Sequence, residues 1–471
     1  MHTQCKPEQI EFQGLGRRQV QAAFDGGHIS SDGGALLLRE VDSRFGITSG
    51  LAECFTDFRR DDLIEHSVLE LVRQRIYGIA LGYEDLNDHD DLMRDPLLGL
   101  VLEKRDPEGK ERRRSIDTGK ALASSSTLNR LELTPAVADV ESRYKKIVHH
   151  PDEIEDLLIR LFLDSYEMLP EEIVLDFDAT DDPLHGNQEG RFFHGYYRCY
   201  CYLPLYVTCG DRLLVSRLRT SDRDQSAGAT EILAHLVKRI RERWPCVRIV
   251  VRADSGFARE ESMKWCEGNG VFYVLGLARN SRLQKKIGKE LVEARELYED
   301  TQHAARIFSH FTYRTRKSWS CKRRVIAKAE HLEKGSNPRF IVTNLPEEYA
   351  TAQALYEDVY CARGDMENRI KEQQLDLFSD RTSTGTMRAN QLRLWFSSIA
   401  YVLLSTMRRV ALNGTRMAKA TCGTIRLKLL KIGAQITVSV RRFLVRLASA
   451  CPYQDVFIQA WRNLEQIPMR C

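Results

Sequence analysis

The sequence predicts an α/β protein built on a mixed sheet flanked by helices, and three observations carry that prediction. The stretch Glu172 to Thr180 contains Ile173, Val174, Leu175 and Phe177, the apolar and partly β-branched signature of a buried strand. The chain that follows reads as three strands, helix, strand, helix, strand, the order of a sheet covered by helices. Finally, the two strongest strands both end in acid, Asp176 and Asp178 on one and Asp254 on the other. Asp176 and Asp178 are two apart, so on a strand they share a face.

The elements justify themselves in order. Residues 1–45 hold short strand-like pieces and a turn-rich run from Asp25 to Gly34, whose paired glycines make turns or cradle a phosphate. Ile64, Val68, Leu71, Val72 and Ile76 recur at three- and four-residue steps and predict a packed helix. The acidic cluster from Glu84 to Asp91 lacks a fixed metal-loop pattern and reads as helix caps. Lys104 to Lys120, with Arg112, Arg113 and Arg114, reads as a basic loop. Ser124 to Glu132 is a capped amphipathic helix; with Ser126, Asn129 and Arg130 outward it is either ordinary or the reading helix of a helix-turn-helix.

After a helix near Ile154–Tyr166, the sheet opens with the Glu172 strand. Phe192 to Thr208 is aromatic and β-rich, and Arg212 to Leu218 returns after a Gly210-Asp211 turn. A helix over Ala227–Trp244, a strand over Val247–Asp254, a helix near Arg259–Glu267 and a strand over Val271–Leu277 complete the series. Residues 279–335 read as a β-rich insertion with strands at Ala305–Thr315 and Arg323–Ala329. The core resumes at Arg339–Leu345, followed by one long helix from Glu347 to Gln374. The domain reading is 1–150 mostly helical, 151–380 the α/β domain, and 381–471 basic and helical.

Composition narrows the function classes. The chain has 471 residues, 43% hydrophobic and 29% charged, which is ordinary for a globular protein. Met1 to Gln13 has no charged-then-apolar leader pattern, and the apolar run Leu394–Met407 is broken by serines and too short to span a membrane. The twelve cysteines form no pair of CxxC knuckles, so the expectation is a reduced cytosolic protein rather than a disulfide scaffold or zinc module. His194, Cys199, Cys201 and Cys209 come nearest to a metal cluster and read as strand-core residues. The net charge of +4 hides a polarity: residues 381–471 carry fifteen Lys/Arg and two acids, +13, leaving −9 for the rest. Such a tail implies a polyanionic partner, with nucleic acid the default.

The chemistry lies in the acids. Tyr360, Arg363, Glu367 and Lys371 are spaced to share one face of a helix. With Asp178 and Asp254, Glu367 makes three carboxylates at the ends of two strands and on one later helix. Carboxylates so arranged suit a pair of Mg²⁺ ions about 4 Å apart, clamping the attacking and leaving oxygens of a phosphodiester.

At this point the sequence resembles a family, the DDE transposases of bacterial insertion sequences that carry a Tyr-x2-Arg-x3-Glu-x6-Lys signature. The resemblance rests on Tyr360, Arg363 and Glu367, on Asp178-Ala179-Thr180 for the first acid and on Asp254-Ser255-Gly256 for the second. It covers roughly residues 10–460. The signature lysine position holds Gln374, with Lys371 one turn earlier. The resemblance implies a ribonuclease-H-like catalytic core and cut-and-paste transposition in a bacterial cytoplasm. It implies two Mg²⁺ per site, replaceable by Mn²⁺, with Asp178 bridging both and Asp254 and Glu367 holding one each. It further implies that Tyr360 and Arg363 grip DNA phosphates, with Lys371 as the substitute for the signature lysine, and that Trp319 either stacks on a displaced base or packs on its own hairpin. Asn129 and Arg130 would contact the terminal inverted repeats, and a homodimer would pair two double-stranded ends with target DNA. Two other readings of the residues are a ribonuclease-H-like nuclease without strand transfer and a non-catalytic DNA-binding protein. A glycosidase using paired carboxylates is disfavoured by five tryptophans and the basic tail.

Overall fold

The computed structural model describes residues 9–469. Cys5, Cys471 and most of the leader stretch Met1–Gln13 lie outside the described residues. The chain forms two compact units, residues 150–398 and a second made from residues 1–149 together with 399–471.

The 150–398 unit is a nine-stranded mixed sheet with helices on both faces. In chain order its main elements are α1 (Pro151–Asp164), β1 (Glu172–Ala179), β2 (Leu205–Cys209), β3 (Arg212–Arg217), α2 (Ala229–Arg243), β4 (Arg248–Ala253), α3 (Glu260–Gly268) and β5 (Phe272–Leu277). Then come β6 (Ala305–Tyr313), β7 (Arg323–Leu332) and β8 (Arg339–Thr343). The sheet order is β3-β2-β1-β4-β5-β8-β7-β6, with the short strand Gly335–Ser336 beside β7. β1, β4 and β5 are parallel, while β2 runs antiparallel to both β1 and β3.

Strand alternation divides the sheet into two cores. Ile173, Leu175 and Phe177 of β1, with Ile249, Val251 and Ala253 of β4, pack under α1, α2 and α3. On the other face Val250, Val274, Ile326 and Ile341 pack against Leu355 and Tyr356. Even-numbered side chains of β1 and β4 therefore look toward the helical run that begins at Ala352.

Two expectations change here. The 279–335 insertion opens with helices, Ser281–Lys286 and Gly288–Thr301, before its strands. Ala294 and Leu283 are wholly buried, so those helices are tied to the core by apolar contacts rather than by β pairing. Its strands extend the main sheet through β7 and β8 instead of forming a separate layer. The long helix expected over 347–374 is a composite run: a turn at Ala352–Ala354, a π segment Leu355–Tyr360, a 3₁₀ turn Cys361–Arg363, α4 (Gly364–Lys371) and a second π segment Glu372–Asp376.

The other unit is mostly helical. Its long N-terminal helix, Val68–Leu81, starts with a capping box in which Ser67 and Glu70 exchange hydrogen bonds. The tail is not helical throughout: Ala434–Ser439 and Arg442–Leu447 form a hairpin, and His28–Ser30 adds a third strand to it. The alternation Ile436, Val438, Phe443, Val445 is the period-2 signal that favours strands there. The glycine pair Gly33-Gly34 donates its backbone N–H groups to Ile432 and Leu430. A side chain at Gly34 would strike the Leu429 carbonyl, so close backbone approach, not phosphate, explains these glycines. The helix Ser125–Glu132 follows Pro96–Val101 only after a long connection, which rules out a helix-turn-helix of those two elements. Its Glu132 is wholly buried and paired with Arg75 at 2.9 Å. Among the described residues no helix is long and apolar enough to cross a membrane, and all ten described cysteines are free thiols.

Candidate active site

β1 sends Val174, Asp176 and Asp178 to the face opposite its apolar side chains. Asp176 is buried and held in a fork by Arg252 of β4, at 2.5 Å from Nε and 2.8 Å from Nη2. Arg252 Nη1 donates to the Val359 carbonyl, which ties the π segment before Tyr360 to the middle of the sheet. Asp178, one step nearer the strand end, is half-buried and faces Arg363.

Asp178 Oδ2 accepts from Arg363 Nη1 at 3.0 Å, and Arg363 Nη2 donates to Glu367 Oε1 at 2.8 Å. Glu367 lies one turn after Arg363 on α4, the i,i+4 spacing that aligns them. Burial raises the Asp178 carboxyl to about 6; Arg363 opposes the rise, and the charges of Asp254 and Glu367 add to it. The three acids are thus close enough to act on one another. Asp254 follows β4, and its Oδ1 accepts from Gln225 Nε2 at 2.7 Å and from the Gly256 N–H at 2.8 Å. A side chain at Gly256 would collide with Gln225, so that glycine is what lets the amide lie over the acid.

Tyr360 approaches the sheet over Gly276 of β5, where an added methyl would stand 2.6 Å from the phenol oxygen. Gln374 Nε2 donates to the Asp181 carbonyl at 3.1 Å and to Asp182 Oδ1 at 3.2 Å, pinning the segment that leaves β1. Asp182 is wholly buried, and burial lifts its carboxyl well above the usual range.

The structure therefore brings Asp178, Asp254, Glu367, Tyr360 and Arg363 together. Lys371 is exposed on the same helix, one turn beyond Glu367. Trp319 lies apart: it is 4% exposed and packs edge-on against Tyr313, with the Arg323 guanidinium over its ring. Asn129 and Arg130 sit in the other unit, part-buried and exposed respectively. Arg252, Gln225 and Asp182 went unread in the sequence as site-building residues, and Gln374 was read only as the occupant of the signature lysine position; Arg252 carried a signal, as a cation after three apolar residues in a strand ending in acid.

Among the described residues, no three Asp, Glu, His or Cys side chains stand at metal-holding distances. In their place Arg363 bridges two of the carboxylates, a positive group among acids. The donor set is all hard oxygen, the chemistry that Mg²⁺ and Mn²⁺ take.

An acid-lined end of a mixed sheet, with a cation-bearing helix laid across it, defines a class of carboxylate-centred proteins. The family described as "Transposase DDE domain group 1" matches residues 12–469, and the chain belongs to that family. No curated protein sequence matches the chain. Among solved structures, a piggyBac transposase synaptic complex with hairpin DNA is similar over 84% of this chain and 79% of that one, at 10% identity and a TM-score of 0.40.

Proposed function

We propose that the chain is a DNA transposase that cuts phosphodiester bonds at the ends of an insertion sequence and joins the freed 3′ ends to target DNA. The observation that carries this reading is the convergence of Asp178, Asp254 and Glu367 around Arg363 on one face of the sheet. The strand order β3-β2-β1-β4-β5, with β2 alone antiparallel, supports a ribonuclease-H-like core.

In this reading Asp178, Asp254 and Glu367 would hold the divalent ions. Bound there, Mg²⁺ or Mn²⁺ would supply activation of the attacking oxygen and stabilisation of the leaving one. The protein's own groups do the positioning. Gln225 and the Gly256 N–H occupy one oxygen of Asp254 and so fix the direction of the other. Arg363 is a planar fork suited to a phosphate once the acids have a metal partner. Tyr360 adds a hydroxyl beside it, and Lys371 is the further cation for the DNA backbone. Asn129 and Arg130 remain candidates for contact with the terminal repeats, and pairing two ends calls for two copies of the chain. Trp319 would have to leave its packed site to stack on a base.

The test is excision from a donor plasmid carrying the element's own ends, with Mg²⁺, comparing the wild-type chain with Asp254→Ala. The variant should yield neither excised nor joined product. Excision at the wild-type level would overturn the assignment.

A further inference from the structure

Between β1 and β2 the chain makes a small three-stranded sheet from Asp182–Pro183, Phe192–His194 and Cys199–Tyr202. Its outer hairpin reads Arg191-Phe192-Phe193-His194-Gly195-Tyr196-Tyr197-Arg198-Cys199-Tyr200. Cys201 and Tyr202 anchor its inner strand in the core, both wholly buried. Several of its rings point outward: Phe193 is 57% exposed, Tyr196 84% and Tyr200 43%. Leaving such rings in water forgoes the burial that rings of this size normally gain.

The hairpin is built rather than frayed. Arg198 adopts a left-handed backbone, φ 57°, and its N–H closes the tip onto the His194 carbonyl at 2.8 Å. That conformation is uncommon for a residue with a side chain and requires support from its surroundings. Phe193 and Tyr200 meet edge-on at 5.5 Å, and Tyr196 and Tyr197 at 5.0 Å. The Arg191 guanidinium covers the Tyr200 ring at 4.0 Å while bonding Gly186 and Asn187. The rings are therefore held in place by one another, with Arg191 against Tyr200.

The hairpin also stands beside the acids. It pairs with Asp182–Pro183, which Gln374 fastens just past the end of β1. Burial, with the charges of Asp181 and Asp178 acting the same way, raises the Tyr197 phenol to about 12. Exposed rings interleaved with arginines form a surface for unpaired bases: rings stack on bases of any sequence, and guanidiniums meet the backbone. A duplex keeps its base faces covered and offers little to such rings.

We propose that the Arg191–Tyr200 hairpin is a stacking platform for unpaired nucleobases of the DNA strand entering the acid cluster, with Phe193, Tyr196 and Tyr200 as the rings and Arg198 as a backbone contact. The proposal rests on the transposase reading and adds to it a preference for locally opened DNA. It is tested with the full-length chain by fluorescence anisotropy on three labelled probes of about 12 nucleotides: oligo-dT, an abasic strand with the same backbone, and a paired duplex. The wild type should prefer oligo-dT over the abasic strand. Phe193→Ala and Tyr196→Ala should each cost about tenfold on oligo-dT while leaving the abasic and duplex probes unchanged. Tyr196→Phe should retain binding, because the ring is what stacks. If the alanine variants weaken all three probes equally, or change none of them while altering the oligomeric state, the platform is refuted and the hairpin is a protein contact. If the wild type binds none of the probes, the DNA reading itself fails, and the platform with it.

Discussion

Asp176 and Asp178 leave the same face of one strand two residues apart, yet they face different partners. Asp176 is neutralised by a buried, two-pronged Arg252 and belongs to the frame; Asp178, half-buried, meets Arg363. Removing one member of a buried pair leaves the other uncompensated, at about 3 kcal/mol. Asp176→Asn should therefore lower the unfolding free energy read from urea denaturation by that amount and weaken cleavage only secondarily. Asp178→Ala should abolish cleavage with little loss of stability, since it also relieves the burial of a charge. Equal stability losses would show that the two acids share one role. The three acids were legible in the sequence because strand ends and helical spacing are local patterns. Arg252, Gln225 and Gln374 were not, because each acts across 76 or more residues or through a loop whose path no local pattern dictates; Gln225 reaches Asp254 only because Gly256 leaves room.

At the scale of elements, the helical run from Ala352 to Asp376 decides how the site is assembled. Uniform α spacing would place Tyr360, Arg363, Glu367 and Lys371 in one row, but π turns flank the middle and a 3₁₀ turn precedes α4. Such interruptions re-aim side chains and recur at functional sites. The Arg363–Glu367 and Glu367–Lys371 steps keep the regular spacing, and Tyr360 is the member that the irregular turns displace. Tyr360 is fixed instead by Gly276, whose missing side chain lets the phenol reach the sheet. Gly276→Ala should reduce cleavage and cost about 1–3 kcal/mol, since the methyl would press on the phenol and on the Ser255 N–H. Adding Tyr360→Phe should recover part of the stability but not the activity. A Gly276→Ala chain with wild-type activity would show that Tyr360 is not placed by this contact. The succession of strands and helices along the chain was readable as far as β5, but not the order of the strands in the sheet. Beyond it, β6–β8 join the same sheet through long-range antiparallel pairing, and no periodicity reveals that partner choice.

At the scale of the molecule, the charge asymmetry of the linear sequence is largely absorbed by folding. The unit containing the basic tail holds 33 Lys/Arg and 28 acids, counting residues 1–149 and 399–471. Some tail cations are already engaged: Arg426 donates to the Ile79 and Ala80 carbonyls, and Lys431 pairs with Asp32 at 2.7 Å. In the same unit His66 sits with Lys104 Nζ 2.9 Å from Nδ1 and Arg112 Nη1 3.1 Å from Nε2. Burial, and then Lys104, Arg112 and Arg59, depress it from 6.5 to about 2. Below about pH 6.5 the unfolded chain gains a proton that the folded chain refuses. His66 therefore imposes no penalty above that pH and drains stability progressively as pH falls toward 2. His89, lowered to about 3 chiefly by burial, acts in the same direction. Melting temperature should drop as pH falls below about 6.5, and less so in His66→Gln. Identical drops in the two proteins would remove His66 from the account.

The Gly33–Ile432 and Gly34–Leu430 hydrogen bonds, the Ser30–Ala434 strand pairing and the Arg44–Leu464 contact join the two ends of the sequence into one body. That stitching sets a timetable for synthesis. The first 149 residues emerge from the ribosome without the strands and helices they pack on, and wait while 249 others are made. The acid-bearing sheet, contiguous in sequence, has all its parts first. A message cut short after residue 398 would encode every acid of the candidate site on a complete sheet, beside an N-terminal segment with exposed apolar surface and nothing to cover it.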